Sequence, residues 1–226
     1  MLLQIPNVLN DEQLQRCNVL LAQAQWVDGR VTAGHQGIRV KNNLQLPEES
    51  PIAHEIGDCV LAALEHNPLF ISATLPARVY PPLVNRYAEG EYFGAHIDNA
   101  VRLLPGSSQK LRTDISATLF LSDPQSYVGG ELLIEDTYGT HSVKLPAGHL
   151  VIYPSGSLHR VNPVQSGARV AAFFWIQSMV RDDAQRTLLF DIDTSIQLLH
   201  KTGGDEQAIT RLTGSYHNLL RMWAET

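Results

Sequence analysis

Apolar residues recur at helical spacing near the start of the chain, at every second position through its middle, and at helical spacing again toward its end. Asn10 with Gln13 three residues on has the form of a capping box, and Leu14, Cys17, Leu21 and Ala24 continue from it as one helical stripe. Ser50-Pro51 supplies an N-cap followed by proline at the first helical position, opening a helix with Ile52, Ile56, Val60 and Leu64 inward. Asn67-Pro68 closes it. From about Ala77 the period falls to two. The alternation predicts strands at 77–87, 92–98, 114–121, 130–136, 141–145, 148–153 and 169–178, separated by Gly, Pro, Asp and Ser. Many short strands with no helices between them argue against a parallel α/β sheet and for an antiparallel sandwich or jelly roll. Beyond residue 181, Leu188, Leu189, Ile192, Ile196 and Leu199 repeat at helical spacing until Gly203-Gly204. Asp205 then starts a second helix with Ile209, Leu212, Tyr216, Leu219 and Trp223 on one side.

The expected architecture is mainly β with flanking helices. A domain at 1–180, with its catalytic core at about 77–178, would be followed by a C-terminal helical extension at 181–226. A hairpin this apolar needs cover, either the outer face of the sheet or a second copy of the chain in a homodimer. The loop 104–110, Leu-Pro-Gly-Ser-Ser-Gln-Lys, is a lid or substrate-loop candidate.

Composition narrows the function classes. At 226 residues, 44% hydrophobic and 18% charged, the chain has the make-up of a soluble globule with a sizeable core. A net charge of −6 carries no basic footprint for nucleic acid and no polybasic patch for anionic lipid. No apolar run approaches the roughly 18–20 residues a membrane span needs. Cys17 and Cys59 form no C-x-x-C and no disulfide framework, and the N-terminus lacks the features of an export signal. A reducing, cytoplasmic setting is expected.

The chemistry is concentrated in His96-Ile97-Asp98, His159 and Arg169. Two imidazoles and a carboxylate are the ligand set that holds non-haem Fe(II) on one face and leaves the other open. In an extended strand, residues two apart project to the same side, so His96 and Asp98 can share one ion while Ile97 points away. Arg169 is the only charge between Ala168 and Gln177, and its guanidinium fork fits a carboxylate. An open iron site with a carboxylate clamp suits a 2-oxoglutarate-dependent oxygenase. On the last strand Arg169, Ala171, Phe173 and Trp175 share a face, which sets Trp175 near the reactive side, with core packing as its competing role. Tyr87 and Thr118 are candidates for hydrogen-bonding 2-oxoglutarate, against core or cross-strand packing. Gly129-Gly130 has the pattern of a tight turn into a strand. His141 and His149 lie on other strands without a carboxylate partner, and His35, His54, His66, His200 and His217 have no ligand spacing.

The runs Asn85-Arg-Tyr87, Phe93-Gly-Ala-His96-Ile-Asp98, Arg112 to Asp123, Gly129-Gly-Glu-Leu, Tyr153 to Val161 and Gly167-Ala-Arg169-Val together resemble the PKHD-type hydroxylases. These are bacterial members of the prolyl 4-hydroxylase-like Fe(II)/2-oxoglutarate dioxygenases, and the resemblance covers almost the whole chain. It implies a double-stranded β-helix, iron on His96, Asp98 and His159, 2-oxoglutarate on Arg169, and L-ascorbate as an auxiliary reductant. It also suggests a link to iron or siderophore uptake without identifying a substrate; a small-molecule or amino-acid-type substrate is expected. No stretch matches a peptide-binding insert, so a prolyl-type protein hydroxylase stands as an alternative, beside a non-enzymatic iron and 2-oxoglutarate sensor. A nucleic-acid demethylase of related chemistry is disfavoured by the acidic charge.

Overall fold

In the computed structural model, residues 1–32 and 37–225 are described; His35 lies outside them. The described helices are α1 (Asp11–Ala22), α2 (Pro51–Glu65), α3 (Pro68–Thr74), α4 (Asp183–Thr202) and α5 (Glu206–Trp223). Between α3 and α4 the chain is built from strands, in two main antiparallel sheets. The major sheet runs in the order Leu3–Ile5, Leu150–Pro154, Ile115–Phe120, Arg169–Ser178, Leu83–Tyr87, Leu44–Gln45, Val27–Asp28. The minor sheet runs Gly139–Val143, Leu132–Asp136, His159–Val161, Tyr92–His96, Lys41–Asn42. This is the antiparallel jelly roll that the alternating pattern predicts, and the double-stranded β-helix that the family resemblance implies.

Period-two alternation decides what each face of the major sheet does. Ile115, Ala117 and Leu119, with Ile152, Ala172, Phe174 and Ile176, join Cys17, Ile56, Val60, Leu64 and Phe70 in one buried cluster, so α1, α2 and α3 cover this outer face. The opposite residues, Phe120, Val151, Tyr153 and Tyr87, meet Leu132, Ile134, Val143 and Val161 of the minor sheet. Every residue of Ile115–Phe120 is buried, as in a strand packed on both sides. Each large apolar side chain so enclosed contributes about 1.5–3 kcal/mol.

The helix caps form as the sequence indicates. Asn10 accepts from the Gln13 backbone N–H while the Gln13 side chain accepts from that of Asn10, and Ser50 accepts from Ala53 N–H. Asn67 closes α2 and also opens α3, accepting from Phe70 N–H at 2.9 Å; a helix of seven residues is too short to display a stripe. The strand expected at 77–87 is two strands, Pro76–Val79 and Leu83–Tyr87. Pro81 and Pro82 intervene and supply no N–H to a ladder, so pairing stops there. The expected lid loop is the tip of a β-hairpin, Val101–Leu103 with Lys110–Arg112.

The C-terminal hairpin forms, with Gly203 in the left-handed conformation at the end of α4 (φ 69°) and Asp205 capping α5. Phe190 of α4 packs against the cluster on the outer face of the major sheet, which α1–α3 also cover. Ser72 of α3 donates to Asp193 of α4 at 2.6 Å, and Tyr216, Leu219, Leu220 and Trp223 pack around Leu75, Val180 and Leu189. Among the described residues no helix is long and apolar enough to cross a membrane.

Candidate metal and cosubstrate site

His96 and His159 stand opposite one another in adjacent strands of the minor sheet, with ring centroids 4.2 Å apart. The strand Tyr92–His96 ends at the first histidine, so Asp98 lies on the turn beyond it and not in a strand reaching 98. Its carboxylate still reaches the same point. Asp98 Oδ1 is 4.0 Å from His96 Nε2 and Oδ2 is 3.8 Å from His159 Nε2, and the donor atoms of the three residues lie within 4.8 Å of one another. Anchoring from the major sheet replaces strand geometry: Ser116 Oγ donates to Asp98 Oδ2 at 2.6 Å and is hydrogen-bonded to Ser155 Oγ at 2.8 Å.

The imidazoles are held in the ligating tautomer by their own strands. His96 Nδ1 is 2.8 Å from the Gly94 carbonyl and His159 Nδ1 is 3.0 Å from that of Ser157. Donation to those oxygens puts the proton on Nδ1 and leaves an Nε2 lone pair toward Asp98. Burial, and then the neighbouring His159, hold the His96 pKa down to about 4, so its ring is neutral at physiological pH. Two imidazoles that turn Nε2 toward a shared carboxylate, all oxygen and nitrogen donors, fit a divalent iron.

The three residues open into a cavity of about 210 Å³, which is also lined by Tyr87, Thr118, Arg169 and Trp175. Arg169 opens the strand Arg169–Ser178, paired in register with Tyr87, and is 1% exposed. Its Nε and Nη1 are buried with no hydrogen-bond partner among the described residues. Its guanidinium carbon lies 5.3 Å from the Tyr87 ring and 5.1 Å from that of Phe120. A buried cation with open donors is costly until an anion meets it, which is what the distal carboxylate of 2-oxoglutarate offers. Behind Arg169, Gly129 and Gly130 have φ of 76° and 68°; a Cβ on Gly129 would come within 2.3 Å of the Pro163 carbonyl. That turn admits only glycine.

Burial raises the Tyr87 hydroxyl pKa to about 12, so it stays protonated beside Arg169, with Asn85 Nδ2 donating to its oxygen at 3.3 Å. Trp175 both lines the cavity and packs edge-on against Tyr80 and Phe173, at centroid distances of 5.5 and 5.6 Å. Ser116 and Tyr153, which fall within the runs that carry the family resemblance without a role assigned to them there, also line the cavity, as do Lys41 and Arg102, which no motif marks in the sequence. His141, read as lacking a carboxylate, sits 2.7 Å from Asp136 on an exposed hairpin away from the site.

Residues 82–177 match the family model of the 2OG-Fe(II) oxygenase superfamily, and residues 183–225 match that of the PKHD-type hydroxylase C-terminal domain. A PKHD-type hydroxylase of Paraburkholderia phytofirmans is 60% identical over 228 residues, covering 100% of each chain. This chain belongs to the PKHD-type hydroxylases. The hydroxylase is therefore a 2-oxoglutarate-dependent dioxygenase that works with Fe(II) and 2-oxoglutarate. Its fold is shared with a Pseudomonas putida prolyl-4-hydroxylase (TM-score 0.50, 20% identity, 78% of this chain and 92% of that one). It is shared too with a Trichoplax adhaerens prolyl hydroxylase solved with a hypoxia inducible factor peptide fragment (TM-score 0.53, 15% identity, 83% and 86%).

Proposed function

We propose that His96, Asp98 and His159 hold one Fe(II), that Arg169 holds the distal carboxylate of 2-oxoglutarate, and that the enzyme hydroxylates a small-molecule or amino-acid-type substrate. The observation that carries this reading is the convergence of three donor groups on a cavity whose wall contains a buried arginine with open hydrogen-bonding positions. Bound Fe(II) and 2-oxoglutarate would let O2 hydroxylate a C–H bond, one oxygen atom going to the product and the other to the succinate that forms from the cosubstrate with loss of CO2. The chain's own residues hold, orient and shield. Gly94 and Ser157 carbonyls fix the imidazole tautomers, and Ser116 aims Asp98. Tyr87 and Thr118 flank the cosubstrate, and Phe93 and Trp175 supply apolar lining to the same cavity. Asp98 favours hydroxylation over halogenation, because a halide would need the place its carboxylate takes.

The test is an oxygen- and 2-oxoglutarate-consumption screen of the Fe(II) protein against metabolites, siderophores included, with mass detection of one added oxygen atom. Stimulated succinate formation with an oxygenated product is expected; 2-oxoglutarate that neither binds nor turns over would overturn the reading. Siderophores in the panel address the link to iron uptake, and L-ascorbate is added as the auxiliary reductant.

Ser116→Ala removes the hydroxyl that orients Asp98 but spares every ligand. Outer-shell changes of this kind lower metal affinity roughly 10- to 100-fold, and Ser116→Thr should restore most of it. Anaerobic Fe(II) titration of the two variants checks this; unchanged affinity in Ser116→Ala would remove Ser116 from the metal site.

The helical extension at 181–226 is further proposed to join two copies of the chain. Leu188, Leu198, Leu212 and Met222 stay exposed on it, Met222 at 74%. Light scattering at micromolar concentration should give about twice the 25.0 kDa of one chain, and a mass at 25.0 kDa would exclude the dimer.

A further inference from the structure

The cavity carries more positive charge than iron and 2-oxoglutarate account for. Lys41, Arg102 and Arg169 line it against the single carboxylate of Asp98. A dianionic cosubstrate offsets a divalent metal, and Asp98 offsets one of the three cations. Of the other two, Lys41 is also acted on by Asp28 and Glu48, while Arg102 forms no ion pair with a carboxylate among the described residues.

Position separates these two from Arg169. Arg169 and Trp175 are six residues apart on one strand, about 20 Å of backbone. The Arg102 guanidinium lies on the Trp175 ring at 4.1 Å and near that of Tyr80 at 4.9 Å. Trp175 pairs in register with Ser116, the residue that holds Asp98, so Arg102 is seated at the level of the metal ligands. Lys41 is buried beside them, 5.4 Å from the Phe93 ring and 5.6 Å from that of Phe173, with its Nζ donating to Gln45 Oε1 at 3.2 Å. Phe93 itself stacks on His96 at 3.6 Å.

Arg102 is held for recognition rather than left to roam. The partner strand of its hairpin contributes Leu111, fully buried in the cluster of Tyr80, Leu83 and Trp175. Stacking uses the face of a guanidinium and leaves its N–H edges for an in-plane acceptor. Arg102 Nε is buried with no hydrogen-bond partner, and no carboxylate forms an ion pair with Arg102 among the described residues.

We infer that the primary substrate is a small molecule bearing a free carboxylate, which Arg102 grips beside the metal ligands while its apolar part lies against Phe93, Ile97 and Trp175. This rests on the assignment of iron to the His-Asp-His group and of 2-oxoglutarate to Arg169. An interior prolyl residue of a peptide offers no such anion.

The test uses the anaerobic Fe(II) protein saturated with 2-oxoglutarate. Four acids are titrated by calorimetry beside their neutral amides: acetate, phenylacetate, N-acetylproline and N-acetylhistidine. At least one acid should bind about 10- to 150-fold more tightly than its amide, the range for a charge-assisted hydrogen bond. Arg102→Gln should erase that difference, Arg102→Lys should keep part of it, and the affinity for 2-oxoglutarate should stay within threefold in both. Equal binding of every acid and amide, or no binding of any acid, overturns the inference. So does an Arg102→Gln variant that weakens 2-oxoglutarate instead. Failure of the underlying reading looks different: 2-oxoglutarate then does not bind, or binds equally to Arg169→Ala.

Discussion

Alanine at any one of His96, Asp98 or His159 is expected to abolish turnover and stoichiometric iron binding while leaving the fold in place. The open face of a three-ligand iron site depends on all three protein groups, so two of them leave the ion weakly held and wrongly presented. The fold should survive because the main apolar clusters are built elsewhere, on the outer face of the major sheet and between the two sheets. Loss of His96 also removes a buried imidazole whose charged form burial already disfavours. In Asp98→Ala, Ser116 keeps its hydrogen bond to Ser155, so no polar group is left without a partner. Anaerobic Fe(II) titration with circular dichroism measures both halves of the prediction. One equivalent of iron on each alanine variant would mean that the ion binds elsewhere.

What the sequence shows and what it hides follow from the range of the interactions involved. The strand Arg169–Ser178 has the expected bounds, because its interior from Val170 to Ile176 is an unbroken apolar run, as a strand covered on both faces needs. The minor sheet is harder to see. His159–Val161 is a three-residue strand, recognisable only by its pairing with Leu132–Asp136 and Tyr92–His96. Alternation over Tyr92 to Asp98 overstates strand length, since the chain turns after His96 to bring Asp98 back to the histidines. The metal donors are legible because their chemistry demands particular residue types at short spacing. Ser116, Tyr153, Lys41 and Arg102 are not, because a serine inside an apolar strand or a cation near a loop has many innocent uses. Lys41 and Arg102 lie 61 residues apart in sequence, and only the packing of their separate strands against Phe173 and Trp175 brings them to one wall.

Removing the Arg169 charge should split affinity from stability. Arg169→Ala is expected to weaken 2-oxoglutarate about 10- to 150-fold, the loss of a charge-assisted hydrogen-bonded pair worth roughly 1.5–3 kcal/mol, with iron affinity nearly unchanged. Arg169→Lys should recover only part, because a point charge cannot reproduce the guanidinium fork. Stability without cosubstrate should move the other way in Arg169→Met, which keeps most of the side-chain volume. The wild-type guanidinium is 1% exposed with Nε and Nη1 unpartnered, so exchanging it for a thioether relieves a desolvation cost and leaves little cavity. The melting temperature of the methionine variant should therefore equal or exceed that of wild type when no 2-oxoglutarate is present. At a concentration 100 times the wild-type Kd, 2-oxoglutarate should add about 2.7 kcal/mol to wild type and much less to the variant, reversing the order. Calorimetric 2-oxoglutarate titrations and paired melting curves of the three variants give all of these quantities. Equal 2-oxoglutarate affinity in wild type and Arg169→Ala would assign the carboxylate to another cation. A cosubstrate-free Arg169→Met that melts well below wild type would mean that Arg169 serves packing before it serves binding.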